Sequence, residues 1–198
     1  MTEHELTRRR LLALGLALPP LAALAGSDLF AGELLAATPA IADDDDPTPA
    51  QTEGPYFTPN SPLRRSIVPA GAAGIRLTLT GRVLTTAGRP AARALVDFWQ
   101  ANASGVYDNS GYRFRGHQFT DAQGRYALTT VVPGLYGGRT KHIHVKVQRR
   151  GGAVLTTQLY FPGVAQNRSD RIFRSALLLR NWRKVGSRRA ARFDFVLA

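Results

Sequence analysis

The sequence predicts an all-β fold, an antiparallel β-sandwich with irregular loops and little helix. Three observations predict it. From Ile75 the chain breaks into short runs in which apolar and polar residues alternate, the period of a half-buried strand. Turn signals rich in Gly, Pro and Asp separate the runs, as at 86–90 (T-A-G-R-P) and 120–125 (T-D-A-Q-G-R). Helix is expected only at 170–179, with Asp170 as its cap.

Each strand rests on its own pattern. Residues 76–84, R-L-T-L-T-G-R-V-L, place Leu77, Leu79 and Val83 on one face. Residues 94–100 and 126–132 are β-branched or aromatic runs closed by the turns just named. Residues 142–149 and 154–161 form two more strands across the Gly151-Gly152 break. The last strand is 192–197. No internal repeat appears. Many short strands joined by Gly and Pro turns suit a sandwich.

A chain of 198 residues holds one domain with a core and has some length to spare. The spare length is N-terminal. Thr7, then Arg8-Arg9-Arg10, then Leu11-Leu12 and a small-residue and leucine stretch reaching Ala25 make an export signal of the twin-arginine type. Pro19-Pro20 interrupts that run, which is short for a membrane span, so no stable insertion after export is expected. The signal is assigned to 1–42, with cleavage near Ala40 or Ala42. An acidic, self-repelling linker follows at 43–50, and the folded domain is expected at 51–198. The chain has no cysteine, which excludes disulfides, thiolate zinc, iron–sulfur clusters and cysteine nucleophiles. The net charge of +12 comes largely from arginines scattered through strand-like sequence, without a nucleic-acid motif. A solvated basic surface, or one drawn to anionic polymers, is the simpler reading.

Residues 133–144 read P-G-L-Y-G-G-R-T-K-H-I-H. His142 and His144 are two apart, so on a strand both imidazoles leave one face and can share a metal ion. Tyr136, six residues before His142, is foreign to zinc sites, which favour Cys, His and carboxylate. Phenolate is a hard, electron-rich oxygen donor and points towards ferric iron. Alone, a His-x-His pair is more often incidental and a turn tyrosine more often packing. The combination with Tyr136 and Arg139 is far more specific.

Other segments widen the pattern: T-E-G-P-Y-F at 52–57, D-F-W-Q-A-N-A-S-G-V-Y-D at 97–108, F-T-D-A-Q-G-R-Y at 119–126 and L-T-T-Q-L-Y-F-P-G at 155–163. In these motifs, and in the order Tyr, G-R-T, H-I-H, the chain resembles the intradiol ring-cleavage dioxygenases of catechols, above all their small secreted members. The resemblance runs from about Gln51 to Asp170. It implies the transthyretin-like form of the sandwich. It also implies one mononuclear, non-haem Fe(III) held by Tyr107, Tyr136, His142 and His144, with Tyr107 and His142 equatorial and Tyr136 and His144 axial. A trivalent cation can deprotonate tyrosines whose free pKa is about 10.

The implied reaction is cleavage of a catechol by O2 to a cis,cis-muconate-type dicarboxylate, both oxygen atoms entering the product. Tyr136 would leave the metal when substrate binds and take up protons. Arg139 matches the family arginine and would stabilise developing negative charge. Gln158 would hydrogen-bond near the substrate and Arg139, and Gly54, Pro55 and Tyr56 match a segment that lines the pocket in protocatechuate enzymes. The expected partners are a small catechol and O2, with no nucleic acid; a homodimer is left open. Lys141 stands where proline is frequent, and His117 is read as a surface histidine. Two other readings compete: a non-catalytic transthyretin-like binding module, and copper or zinc on the His-x-His pair. Neither needs two tyrosines at 107 and 136.

Overall fold

The structure is a computed structural model that describes residues 46–198. The expected export signal and Asp43 to Asp45 of the acidic linker lie outside the described residues. Nine strands form: β1 (Arg76–Thr85), β2 (Leu95–Trp99), β3 (Arg115–Phe119), β4 (Arg125–Val131), β5 (His142–Gln148), β6 (Leu155–Tyr160), β7 (Arg180–Val185), β8 (Arg188–Arg192) and β9 (Phe195–Leu197). One sheet runs β4-β1-β8-β7, with β9 also on β1, and the other runs β3-β2-β5-β6. The expected sandwich is therefore present.

Alternation decides what fills the space between the sheets. Leu77, Leu79, Val83 and Leu128 of the first sheet meet Val96, Phe98, Ile143, Val145 and Leu159 of the second in a single buried cluster. Each such side chain contributes about 1.5–3 kcal/mol on leaving water. The same alternation sends His142, His144 and Lys146 of β5 to the opposite face, away from that core.

Three expectations need correction. The sheets are not purely antiparallel, because β1 pairs parallel with β8 over Leu77 to Thr80 and with β9 over Val83 to Thr85. Side-chain alternation reports the buried face and carries no information on a neighbour's direction. The expected helix at 170–179 reduces to one 3-10 turn at Ser175–Leu177. Leu178 instead bridges Tyr160, and Leu179 N–H donates to Tyr160 O at 2.8 Å, so the segment lies along the edge of β6. Asp170 does accept the Ile172 N–H at 3.1 Å, as a cap would, but its other oxygen is committed elsewhere. Finally, β3, β7 and β8 form where the residue pattern predicts no strand, and the expected strand at 192–197 is split between β8 and β9.

The split has a local cause at Gly81. Here β1 changes partner from β8 to β9, and Phe193 N–H donates to Thr80 O at 3.0 Å. A Cβ on Gly81 would stand 1.7 Å from Phe193 O, whose carbonyl also accepts the buried Tyr126 hydroxyl at 2.8 Å. No side chain fits. Gly81→Ala is expected to cost more than about 3 kcal/mol through this backbone clash. The measurement is the urea midpoint by tryptophan fluorescence, and an unchanged midpoint would show that the junction yields.

Candidate metal centre

The outer face of β3-β2-β5-β6 is covered by chain that belongs to no strand. The N-terminal segment crosses it: Thr48 N–H bonds Val196 O at 3.0 Å, Gln51 N–H bonds Thr156 O at 2.8 Å, and Gln158 Nε2 donates to Thr52 O at 2.9 Å. Among the described residues, this segment makes backbone contacts with the sandwich from Thr48 onward. Farther along, Ser61 Oγ donates to Asp97 at 2.7 Å and Ser61 O accepts His117 Nδ1–H at 2.7 Å. His117 is thus half-buried and staples this segment to β3, which corrects its reading as a surface residue. Burial raises the Asp97 carboxyl above its usual range, against the Ser61 hydrogen bond and the charges of His117 and Lys146.

Under this cover His142 and His144 are each 4% exposed. Their Nε2 atoms are 3.1 Å apart, and the Tyr107 hydroxyl is 3.1 Å from both. The structure therefore brings three of the four expected ligands together as a triangle of oxygen and nitrogen donors. Its protons are too few to satisfy it. His142 Nδ1–H donates to Thr140 O at 2.6 Å, which leaves Nε2 as a bare lone pair aimed inward. His144 stacks on Trp99 at 4.8 Å and 9°, and its buried Nδ1 has no hydrogen-bond partner. Burial lowers His142 to about 4 and His144 well below the usual histidine range, which favours the neutral imidazole in both. Burial pushes the Tyr107 phenol up, while Arg139 and Arg115 pull the other way. Neutral imidazoles and a phenol whose ionisation demands a strong cation fit a trivalent metal.

Tyr136 is placed differently from the other three. Its ring packs edge-on against Tyr107 and Tyr56, each at 5.3 Å, and its hydroxyl bonds the Tyr56 hydroxyl. That hydrogen bond is the main influence raising its pKa, followed by desolvation. Tyr56 in turn stacks on Tyr107 at 4.7 Å, so the segment matched as pocket lining touches both tyrosines. Gly54 has φ +72°, and a Cβ there would lie 3.4 Å from His144 Cε1. Pro55 is exposed in the turn between them.

Arg139 is not a surface group. Its Nε donates to Asp170 Oδ2 at 2.8 Å and its Nη2 to Gln158 Oε1 at 2.7 Å. Gln158 spends both ends of its amide within the protein, so it orients Arg139 and the N-terminal segment. The Tyr160 hydroxyl lies 3.5 Å from Arg139 Nη2, and burial raises its pKa to about 12. Burial works to raise the Asp170 carboxyl, but Thr140 N–H and Arg139 together hold it below the usual range.

Sequence reasoning missed Arg115. It is 1% exposed, and its guanidinium donates to Asp108 O through Nε at 3.2 Å and Nη2 at 2.7 Å, and to Tyr56 O through Nη1. One side chain thus ties together the segments that carry Tyr107 and Tyr56. The signal was thin, since one arginine among many announces nothing in a strand without apolar alternation. Asp170 and Trp99 were also missed as site residues, having been read as a helix cap and a strand residue.

Two predictions follow from these contacts. Arg115→Met leaves two buried carbonyls unsatisfied, at about 1–3 kcal/mol each. Amide hydrogen exchange should therefore accelerate at 54–57 and 106–113 ahead of the core strands, and uniform protection would refute the tie. Asp170→Asn is expected to cost about 3 kcal/mol at pH 7 by stripping Arg139 of its partner. Because the folded-state pKa of Asp170 is depressed, this stabilisation is full above the unfolded value of about 3.9 and fades as pH falls below it. The gap between wild-type and variant unfolding free energies should narrow below about pH 4.

Known proteins resemble this chain in sequence and fold. Residues 52–198 match the family model described as "Dioxygenase". The dioxygenase domain of a dioxygenase carbohydrate-binding protein fusion from Streptomyces sp. SirexAA-E is 55% identical, covering 77% of this chain and 98% of that one, with a TM-score of 0.75. The 3-chlorocatechol 1,2-dioxygenase of Rhodococcus opacus 1CP is 30% identical over 84% of this chain and 76% of its own, with a TM-score of 0.71. The protocatechuate 3,4-dioxygenase beta chain of Burkholderia cepacia is 37% identical over 118 residues, 50% of each chain. The chain spans about half the length of the first curated relatives it matches. With the family model spanning the whole sandwich, the chain belongs to the intradiol ring-cleavage dioxygenase family.

Proposed function

We propose that the protein is an exported, Fe(III)-dependent intradiol dioxygenase that cleaves a catechol-type ring with O2 to a cis,cis-muconate-type dicarboxylate. One observation carries the reading. A phenol and two neutral imidazoles converge within 3.1 Å of one another, with fewer protons than lone pairs. Tyr107, His142 and His144 would hold the ion, and Tyr136 would supply the fourth ligand. Bound ferric iron supplies a Lewis acid that holds the catechol by its oxygens and makes the ring reactive towards O2.

The chain's own residues do the rest. Thr140 O fixes the His142 tautomer, and Trp99 fixes the plane of His144. Tyr136, whose hydroxyl bonds that of Tyr56, would be the acceptor for a substrate proton. Arg139, aimed by Asp170 and Gln158, places a fixed positive charge where negative charge develops. Gly54, Pro55 and Tyr56 would line the approach. Export by the twin-arginine route fits a protein that takes up its metal while folding. The cellulolytic source of the Streptomyces relative is in keeping with a catechol from plant aromatics. A non-catalytic sandwich accounts for neither the donor triangle nor the aimed arginine.

Iron-loaded protein is expected to be burgundy from tyrosinate-to-Fe(III) charge transfer. It should consume O2 with at least one of catechol, protocatechuate, hydroxyquinol and caffeate. Tyr107→Phe should lower iron affinity by more than the roughly 10–100-fold that outer-sphere changes cost, and abolish turnover. A colourless iron-replete protein, or unchanged O2 uptake by Tyr107→Phe, would rule out the proposed site.

A further inference from the structure

The other outer face of the sandwich is that of the sheet β4-β1-β8-β7. Burial of Leu77, Leu79, Tyr126, Leu128 and Ala191 sends their strand neighbours outward. What emerges is a floor of small residues, Thr78, Thr80, Ala127, Thr129 and Ala190, studded with exposed arginines. Arg82 stands directly opposite Arg125, and Arg180 opposite Arg192. Like charges on opposed positions destabilise a sheet, so this face carries a standing electrostatic cost.

Carboxylates offset it for one arginine of each opposed pair. Asp121 pairs with Arg125 and Asp194 with Arg192, both at one end of the face. Arg82, Arg180, Arg183 and Arg188 have no carboxylate within 4.0 Å among the described residues. Thr80, Arg82, Arg125 and Arg192 also border a cleft of about 400 Å³. The face is predominantly basic, with threonine hydroxyls between the charges.

We propose that this face docks a carboxylate-bearing polysaccharide, holding the domain on a polymer while the donor triangle faces the other way. Guanidinium groups take carboxylates in paired hydrogen bonds, and the threonine hydroxyls suit the hydroxyls of a sugar ring. Single-stranded nucleic acid fits less well, because its bases need exposed aromatic rings and Tyr126 points into the core. An anionic membrane needs several apolar side chains beside the charges, and Val185 at the β7 end is the one exposed large apolar side chain among the threonines and alanines of this face.

The test measures binding of the folded protein to soluble polygalacturonate at physiological ionic strength, with polyglutamate and single-stranded DNA as competitors. Arg82→Glu/Arg183→Glu is compared with Arg149→Glu/Arg150→Glu, an equal charge change on the β5–β6 turn. The face variant is expected to bind about tenfold more weakly or worse, with the turn variant close to wild type. Should the reversals impair folding, Arg82→Gln/Arg183→Gln is expected to show the same ranking. Catechol turnover, where present, should not change. Equal weakening by both variants would reduce the effect to net charge and overturn the proposal. Tighter binding of polyglutamate or DNA than of polygalacturonate would overturn it too.

Discussion

The structure turns on the cost of keeping three lone-pair donors together in a nearly buried place. Tyr107, His142 and His144 meet at 3.1 Å, a spacing that is repulsive for bare donors and favourable around a cation. Every nearby contact resists their separation. Trp99 blocks one ring, Thr140 O holds another, and Arg115 fastens the loop that delivers the phenol. The Tyr107 hydroxyl can donate to only one imidazole at a time, so the surroundings must hold the rest of the cluster in place.

How much of this was legible in the sequence depends on where each signal resides. The core strands were readable because Leu77, Leu79 and Val83, or Ile143, Val145 and Val147, alternate cleanly with polar residues. The His-x-His pair was readable for the same reason, since period two puts both rings on one face. The strands β3, β7 and β8 were not, because arginine, glycine and histidine occupy positions that apolar residues usually mark. Arg115 and Asp170 escaped for a different reason. Their importance comes from the backbone carbonyls and side chains they meet across the fold, and such meetings leave no local pattern. The segment at 170–179 shows the same limit: a capping aspartate and leucines suit a helix, but the open edge of β6 claims them.

The electrostatics of the centre form a graded system. Asp170 holds Arg139 by Nε, and Gln158 holds it by Nη2, so the guanidinium is fixed in direction while its charge is only partly compensated. That charge opposes protonation of both histidines and favours ionisation of Tyr107. One arginine therefore serves ligand readiness and charge stabilisation together. Tyr56 adds a third element, because it touches the ring of one candidate phenolate and the hydroxyl of the other.

The crossing segment at 46–67 has a consequence in time. Thr48 bonds the backbone of Val196 in both directions, so the two ends of the domain are tied across nearly its full length. Contacts of such sequence separation close late and slowly. On a ribosome, the residues that roof the donors emerge first, while their partners at Thr156, Gln158 and Val196 follow much later. The roof over the donors therefore closes only as segments far apart in the chain come together.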